Sequence, residues 1–236
     1  MNDPLEVERL AAARHRVLER IAEAAERAGR EPDAVALVAV SKTVPPERIA
    51  AAAAAGFGTF GENRVQEAEE KLAAAPDAAW HLIGPLQSNK ARRALAAFET
   101  IESVDSVDLA VRLDRLAADV RPDGPVAVLL QVNVDDDPTK AGFQPADLER
   151  ELGRILALPA LDVRGLMTIG RLVADPAEAR PTFVELRELA DRLRRAHPDL
   201  GLELSMGMTD DYPLAVEEGA TIVRVGRALF GEREPG

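Results

Sequence analysis

VALVAVSKTVPP, residues 35–46, decides how this chain is read. Its first six residues are apolar, half of them β-branched, and suit a buried strand. The run stops at Ser41 and Lys42, and Pro45 and Pro46 follow, where a helix can begin. Lys42 is conspicuous at this strand tip. Of the 29 basic residues, 25 are Arg and four are Lys: Lys42, Lys71, Lys90 and Lys140. A guanidinium keeps its proton, whereas an amine can lose it and attack a carbonyl.

Outward from this stretch the same unit repeats. Apolar runs predict strands at 35–41, 57–61, 80–83, 100–104, 126–134, 162–169, 202–206 and 221–225. Helical periodicity fills the gaps at 46–55, 62–75, 88–98, 106–119, 145–158, 176–197 and 211–218, and a short piece spans 227–230. An amphipathic helix over 4–28 precedes them, with Val7, Leu10, Val17 and Ile21 on one face. Eight strands alternating with helices predict parallel pairing and a single (β/α)8 TIM-type barrel. An open doubly wound sheet is the rival, but the GxGxxG that would favour it is missing from the first strand. The expectation is one domain over 1–236, with segment 1–30 as a helix packed on the barrel.

Composition narrows the function. The net charge of −12 argues against a nucleic-acid partner held by a general basic field. Any anion must then be held by a few aimed groups. The chain has no Cys, so thiolate metal sites, Cys nucleophiles and disulfides are excluded. Three scattered His residues do not suggest a metal site, and Asp135–Asp137 lacks the glycine and glutamate of a calcium loop. The first thirty residues hold no signal-type apolar run, and no segment nears the roughly 20 apolar residues of a membrane span. A cytoplasmic protein without membrane contact is expected.

Barrels of this type carry their reactive groups at the C-terminal ends of the strands. The seventh strand ends in SMGM and the eighth in VGR, each before a helix. Glycine allows close backbone approach, and helix-start N–H groups bind anions. In a closed barrel the eighth strand lies roughly 5 Å from the first, which puts Lys42 beside such a phosphate site. An amine next to a phosphate cradle suggests a phosphorylated carbonyl compound, with pyridoxal 5′-phosphate (PLP) the leading candidate. Arg224 shares a strand face with Ile222, toward the barrel axis, and is placed to meet a ring nitrogen.

The motifs AVSKTVP (39–45), GENRVQE (61–67), WHLIGPLQSNK (80–90), GLMTIG (165–170), LSMGMTDD (204–211) and GATIVRVGRALFG (219–231) resemble those of the pyridoxal phosphate homeostasis proteins. The resemblance runs in order and spacing from about residue 35 to residue 231. It implies a barrel akin to the N-terminal domain of alanine racemase. It implies Lys42 as the Schiff-base lysine, Asn63 near the cofactor and Arg224 facing the pyridine nitrogen. It also implies Ser205, Met206, Gly226 and Arg227 holding the phosphate, largely through backbone N–H groups. The family usually has Thr where this chain has Arg227, and often Glu where it has Asp137.

A carrier or regulator of PLP is expected, acting in PLP homeostasis by buffering or delivery to apo-enzymes. An amino-acid racemase is the alternative, with a Schiff-base aldolase third. A racemase needs a second base, which in racemases is a Tyr supplied by another domain and a partner subunit. The single Tyr here, Tyr212, follows the seventh strand. Without that second domain, a monomer is expected. Among the other polar residues, Lys71 reads as a surface ion pair in a Glu-rich helix, and Lys140 as a solvated charge. His81 reads as a packed, hydrogen-bonded residue. A helix cap is the alternative reading of Asn63, behind the functional one, and Asp210 and Asp211 read as N-caps.

Overall fold

The computed structural model describes residues 3–170, 173 and 175–231. The first two and last five residues of the expected 1–236 unit lie outside them.

Eight parallel strands close into a barrel in chain order. They are β1 (Ala36–Val40), β2 (Thr59–Glu62), β3 (Ala79–Leu82), β4 (Thr100–Val104), β5 (Val126–Gln131), β6 (Leu161–Met167), β7 (Glu203–Ser205) and β8 (Ile222–Val225). Closure is made by β1 on β8, with Val38 opposite Arg224. The expected barrel is therefore the fold.

The helices form the outer layer: α1 (Pro4–Arg27), α2 (Pro46–Ala54), α3 (Val65–Glu69), α4 (Ala91–Ala97), α5 (Val107–Val120), α6 (Pro145–Leu156), α7 (Arg180–Ala196), α8 (Tyr212–Glu217) and α9 (Arg227–Phe230). In α1, Asp3 accepts a hydrogen bond from Leu5 N–H, Pro4 starts the first turn, and Leu10, Val17 and Ile21 are buried. Burying each of those side chains contributes about 1.5–3 kcal/mol. Among the described residues no helix is long and apolar enough to cross a membrane.

Strand alternation splits the core in two. Val38, Leu129, Met167 and Ile222 form a small cluster inside the barrel, while Val223 and Val225 join the large cluster under the helices. Arg224, between those two valines, thus shares the inward face with Ile222.

The 62–75 helix is corrected. Glu62 ends β2, α3 is five residues long, and a 3₁₀ turn covers Leu72–Ala74. Lys71 is not a surface residue. It is buried and paired with the buried Glu62.

Candidate functional site

Lys42 occupies a tight turn at the rim. Ser41 C=O accepts a hydrogen bond from Val44 N–H at 2.9 Å, with Lys42 and Thr43 as the central residues. Thr43 has φ 67°, left-handed backbone that a β-branched residue rarely adopts. Such a conformation costs on the order of 1–3 kcal/mol and persists only where its surroundings hold it.

Lys42 is half-buried and lines a cleft of about 730 Å³, together with Arg9, Arg16, Arg48, Gly226 and Arg227. Five of these six residues are cationic, and no carboxylate lines the cleft among the described residues. Glu6 sits behind it, accepting from Arg48 at 2.8 Å and pairing with Arg9 at 3.1 Å. In a chain of net charge −12, the cleft is a local concentration of positive side chains. The α1 arginines, Arg9 and Arg16, were not singled out from sequence. They lie more than 25 residues from Lys42 on a helix whose pattern speaks only of its buried face.

Inside the barrel, Arg224 is buried and its Nη2 donates to Thr168 C=O at 2.6 Å. Its Nη1 donates to Ser205 Oγ at 2.5 Å, and the Ser205 hydroxyl donates to Glu102 Oε2 at 2.5 Å. Glu102 is fully buried, and its other oxygen accepts from His81 Nδ1 at 2.6 Å. A carboxylate only accepts, so the Nδ1 carries the proton. Burial pushes the Glu102 pKa up, but the hydrogen bond and charge of His81, the Arg224 charge and the Ser205 hydroxyl outweigh it. The Glu102 carboxyl is held below its ordinary 4.5. Burial lowers the Arg224 pKa, opposed by Glu102 and Asp211. Burial raises that of Asp211, opposed by Met208 N–H and Arg224.

Glu102 was missed because it lies within the fourth strand rather than in the polar segment, Asp105–Ser106, that follows it. A signal existed: TIESV, 100–104, reads as a barrel strand, and an acidic residue within such a strand, here buried at every position, requires a partner.

The structure brings Lys42, Gly226 and Arg227 to one cleft. Arg227 is exposed, and its guanidinium pairs with Asp210. Gly226 N–H donates to Thr209 Oγ1 over 3.4 Å, long for such a bond. Ser205 and Met206 lie deeper. The Ser205 hydroxyl joins Arg224 to Glu102, and Met206 N–H donates to Ile222 C=O at 3.1 Å. Asn63 is half-buried at the tip of β2 and does not cap α3, whose N-cap is Arg64. Asp211 is the N-cap residue of α8, yet its carboxylate accepts from Met208 N–H at 2.6 Å rather than from the helix. Lys140 is half-buried and pairs with Asp135 at 3.2 Å and Asp137 at 3.7 Å. Tyr212 is buried, with Arg20 of α1 lying 5.4 Å from its ring centroid.

Gly84 shapes the Asn63 side of the mouth. A Cβ there would lie 2.5 Å from Asn63 O and 2.7 Å from its Cα, both backbone atoms that cannot swing aside. Gly84→Ala is expected to displace Asn63 and lower stability by about 1–3 kcal/mol, read as a drop in thermal midpoint.

The family described as "Alanine racemase, N-terminal domain" matches residues 12–234. Pyridoxal phosphate homeostasis protein of Pseudomonas aeruginosa is 46% identical, over 94% of this chain and 94% of that protein. Its counterpart in Aquifex aeolicus is 44% identical, over 93% and 96%. The chain belongs to the pyridoxal phosphate homeostasis protein family. Among solved structures, PipY of Synechococcus elongatus PCC7942 with PLP bound is 48% identical, with a TM-score of 0.79 over 89% of this chain and 100% of that one. The same protein without PLP gives a TM-score of 0.81 over 91% and 99%. Alanine racemase of Clostridium difficile 630 is 15% identical with a TM-score of 0.70, covering 92% of this chain and 60% of that one. That likeness shows a shared barrel alone.

Proposed function

We propose that this chain holds PLP at the barrel mouth through Lys42 and serves PLP homeostasis by buffering or delivering it to apo-enzymes. The observation that carries the reading is the placement of the Lys42 turn on the same cationic cleft as Gly226 and Arg227. PipY, the relative with PLP bound, supports the ligand. The groups present suit it. The aldehyde of bound PLP supplies a carbonyl that an amine converts to a Schiff base with loss of water. Arg9, Arg16 and Arg48 attract the phosphate, and the N–H groups of Gly226 and Arg227 receive it. Arg224 has five N–H donors, of which two serve Ser205 and Thr168, leaving others to face a ring nitrogen.

Two features favour holding over turnover. A guanidinium facing the pyridine nitrogen would keep that nitrogen unprotonated, which weakens the ring as an electron sink. Tyr212 lies buried against α1 rather than on the Lys42 cleft, so it is not placed as a racemase's second base. The names of the relatives agree with a homeostatic role.

Adding PLP to the purified protein is expected to produce a visible absorption band, with no racemization of alanine beyond the buffer rate. A protein that leaves the PLP spectrum unchanged refutes the cofactor reading and brings the aldolase forward. Racemization in proportion to protein concentration refutes the carrier reading.

A further inference from the structure

A second lysine stands directly behind Lys42. Val40 and Lys42 line the cleft, so Ser41 between them faces the helix layer. There Lys71 Nζ donates to Ser41 C=O at 2.9 Å and to Glu62 Oε1 at 2.5 Å. The Ser41 hydroxyl donates to the same Glu62 oxygen at 2.8 Å. The other Glu62 oxygen accepts from Asn63 N–H at 3.3 Å. One buried ion pair therefore grips the backbone immediately before Lys42 and that of Asn63. Ser41, Glu62 and Lys71 are all buried.

Stability alone does not account for such a pair. Apolar residues of similar volume often stabilise a buried site as well or better, because two charges need not be desolvated. The adjoining turn does need restraint. The Ser41 carbonyl that takes Lys71 is the one that Val44 N–H uses to close the turn, and Thr43 sits at φ 67° within it.

We infer that the Lys71–Glu62 pair is a positioning device, which holds the Ser41–Val44 turn in its strained form and so aims the Lys42 amine. Lys71 touches no ligand in this scheme and acts through Ser41. The inference rests on reading Lys42 as the cofactor lysine.

The test is the double variant Lys71→Met/Glu62→Met, which leaves no buried charge, with circular dichroism confirming the fold. In the ligand-free protein, hydrogen exchange of the Val44 amide is expected to quicken about fivefold to tenfold, the loss of roughly one hydrogen bond. The rate at which borohydride traps PLP on Lys42 is expected to fall by a similar factor. Adding Thr43→Gly, which makes the left-handed position strain-free, is expected to restore the trapping rate. Wild-type Val44 exchange and wild-type trapping in a folded double variant would overturn the inference. Should the double variant fail to fold, Glu62→Gln keeps the shape and removes the charge that holds Lys71, and the same two readouts decide. If wild-type protein takes up no PLP, the proposed function fails, while Val44 exchange still reports on the turn.

Discussion

Lys42→Ala is expected to abolish both the visible band and the borohydride-trapped adduct, a loss of more than about 100-fold, with the fold intact. The loss is large because the bond to the cofactor is covalent and the Lys42 nitrogen supplies it. The cost to the fold is small because Lys42 is only partly buried at the rim and lies outside the core clusters. Such changes shift stability by about 0.5 kcal/mol or less. Absorption, circular dichroism and thermal unfolding on one sample separate the two effects. An adduct that survives in Lys42→Ala would move the Schiff base to another lysine, with Lys140 first to be mapped.

Removing Arg224 acts on the opposite balance. In Arg224→Met, Glu102 stays buried with His81 and Ser205 but without the cation that Ser205 links to it. Breaking one partner from a buried pair costs roughly 3–5 kcal/mol. The pH dependence follows from the sign of the Glu102 shift. Its folded pKa lies below the ordinary 4.5, so its stabilisation is fully present above that value and is lost as pH falls through the folded pKa. Without Arg224 one of the lowering causes is gone and burial gains ground. The acid-unfolding midpoint, followed by circular dichroism, is expected to move to higher pH than in the wild type. Adding Glu102→Gln is expected to recover a large part of the lost stability, since no buried charge then lacks its cation. A wild-type midpoint in Arg224→Met would mean that Glu102 does not depend on Arg224.

How far the sequence could be read follows from what periodicity measures. All eight strands were legible because barrel strands are short apolar runs between turn-forming residues. The inward face of Arg224 was legible from alternation in TIVRV, and β1 beside β8 from closure. Lys71 was illegible for the converse reason. Helical spacing treats a charge among glutamates as solvated, yet this one closes a contact with Glu62, nine residues back, that only tertiary packing creates. The same confusion turned the end of β2 into the start of a helix. The His81–Glu102–Ser205–Arg224 chain draws on four strands, so no local pattern could assemble it. Arg9 and Arg16 reach the Lys42 cleft because α1 packs beside α2 and α9, a placement that the α1 sequence does not encode.

The central claim is that Lys42 is the residue that holds PLP. The most direct measurement is borohydride reduction of the PLP-loaded wild-type protein, followed by peptide mass mapping. The account predicts one phosphopyridoxyl group per chain, on the peptide containing Lys42. A phosphopyridoxyl group confined to Lys71, Lys90 or Lys140, or no adduct from a protein that remains folded, would contradict it.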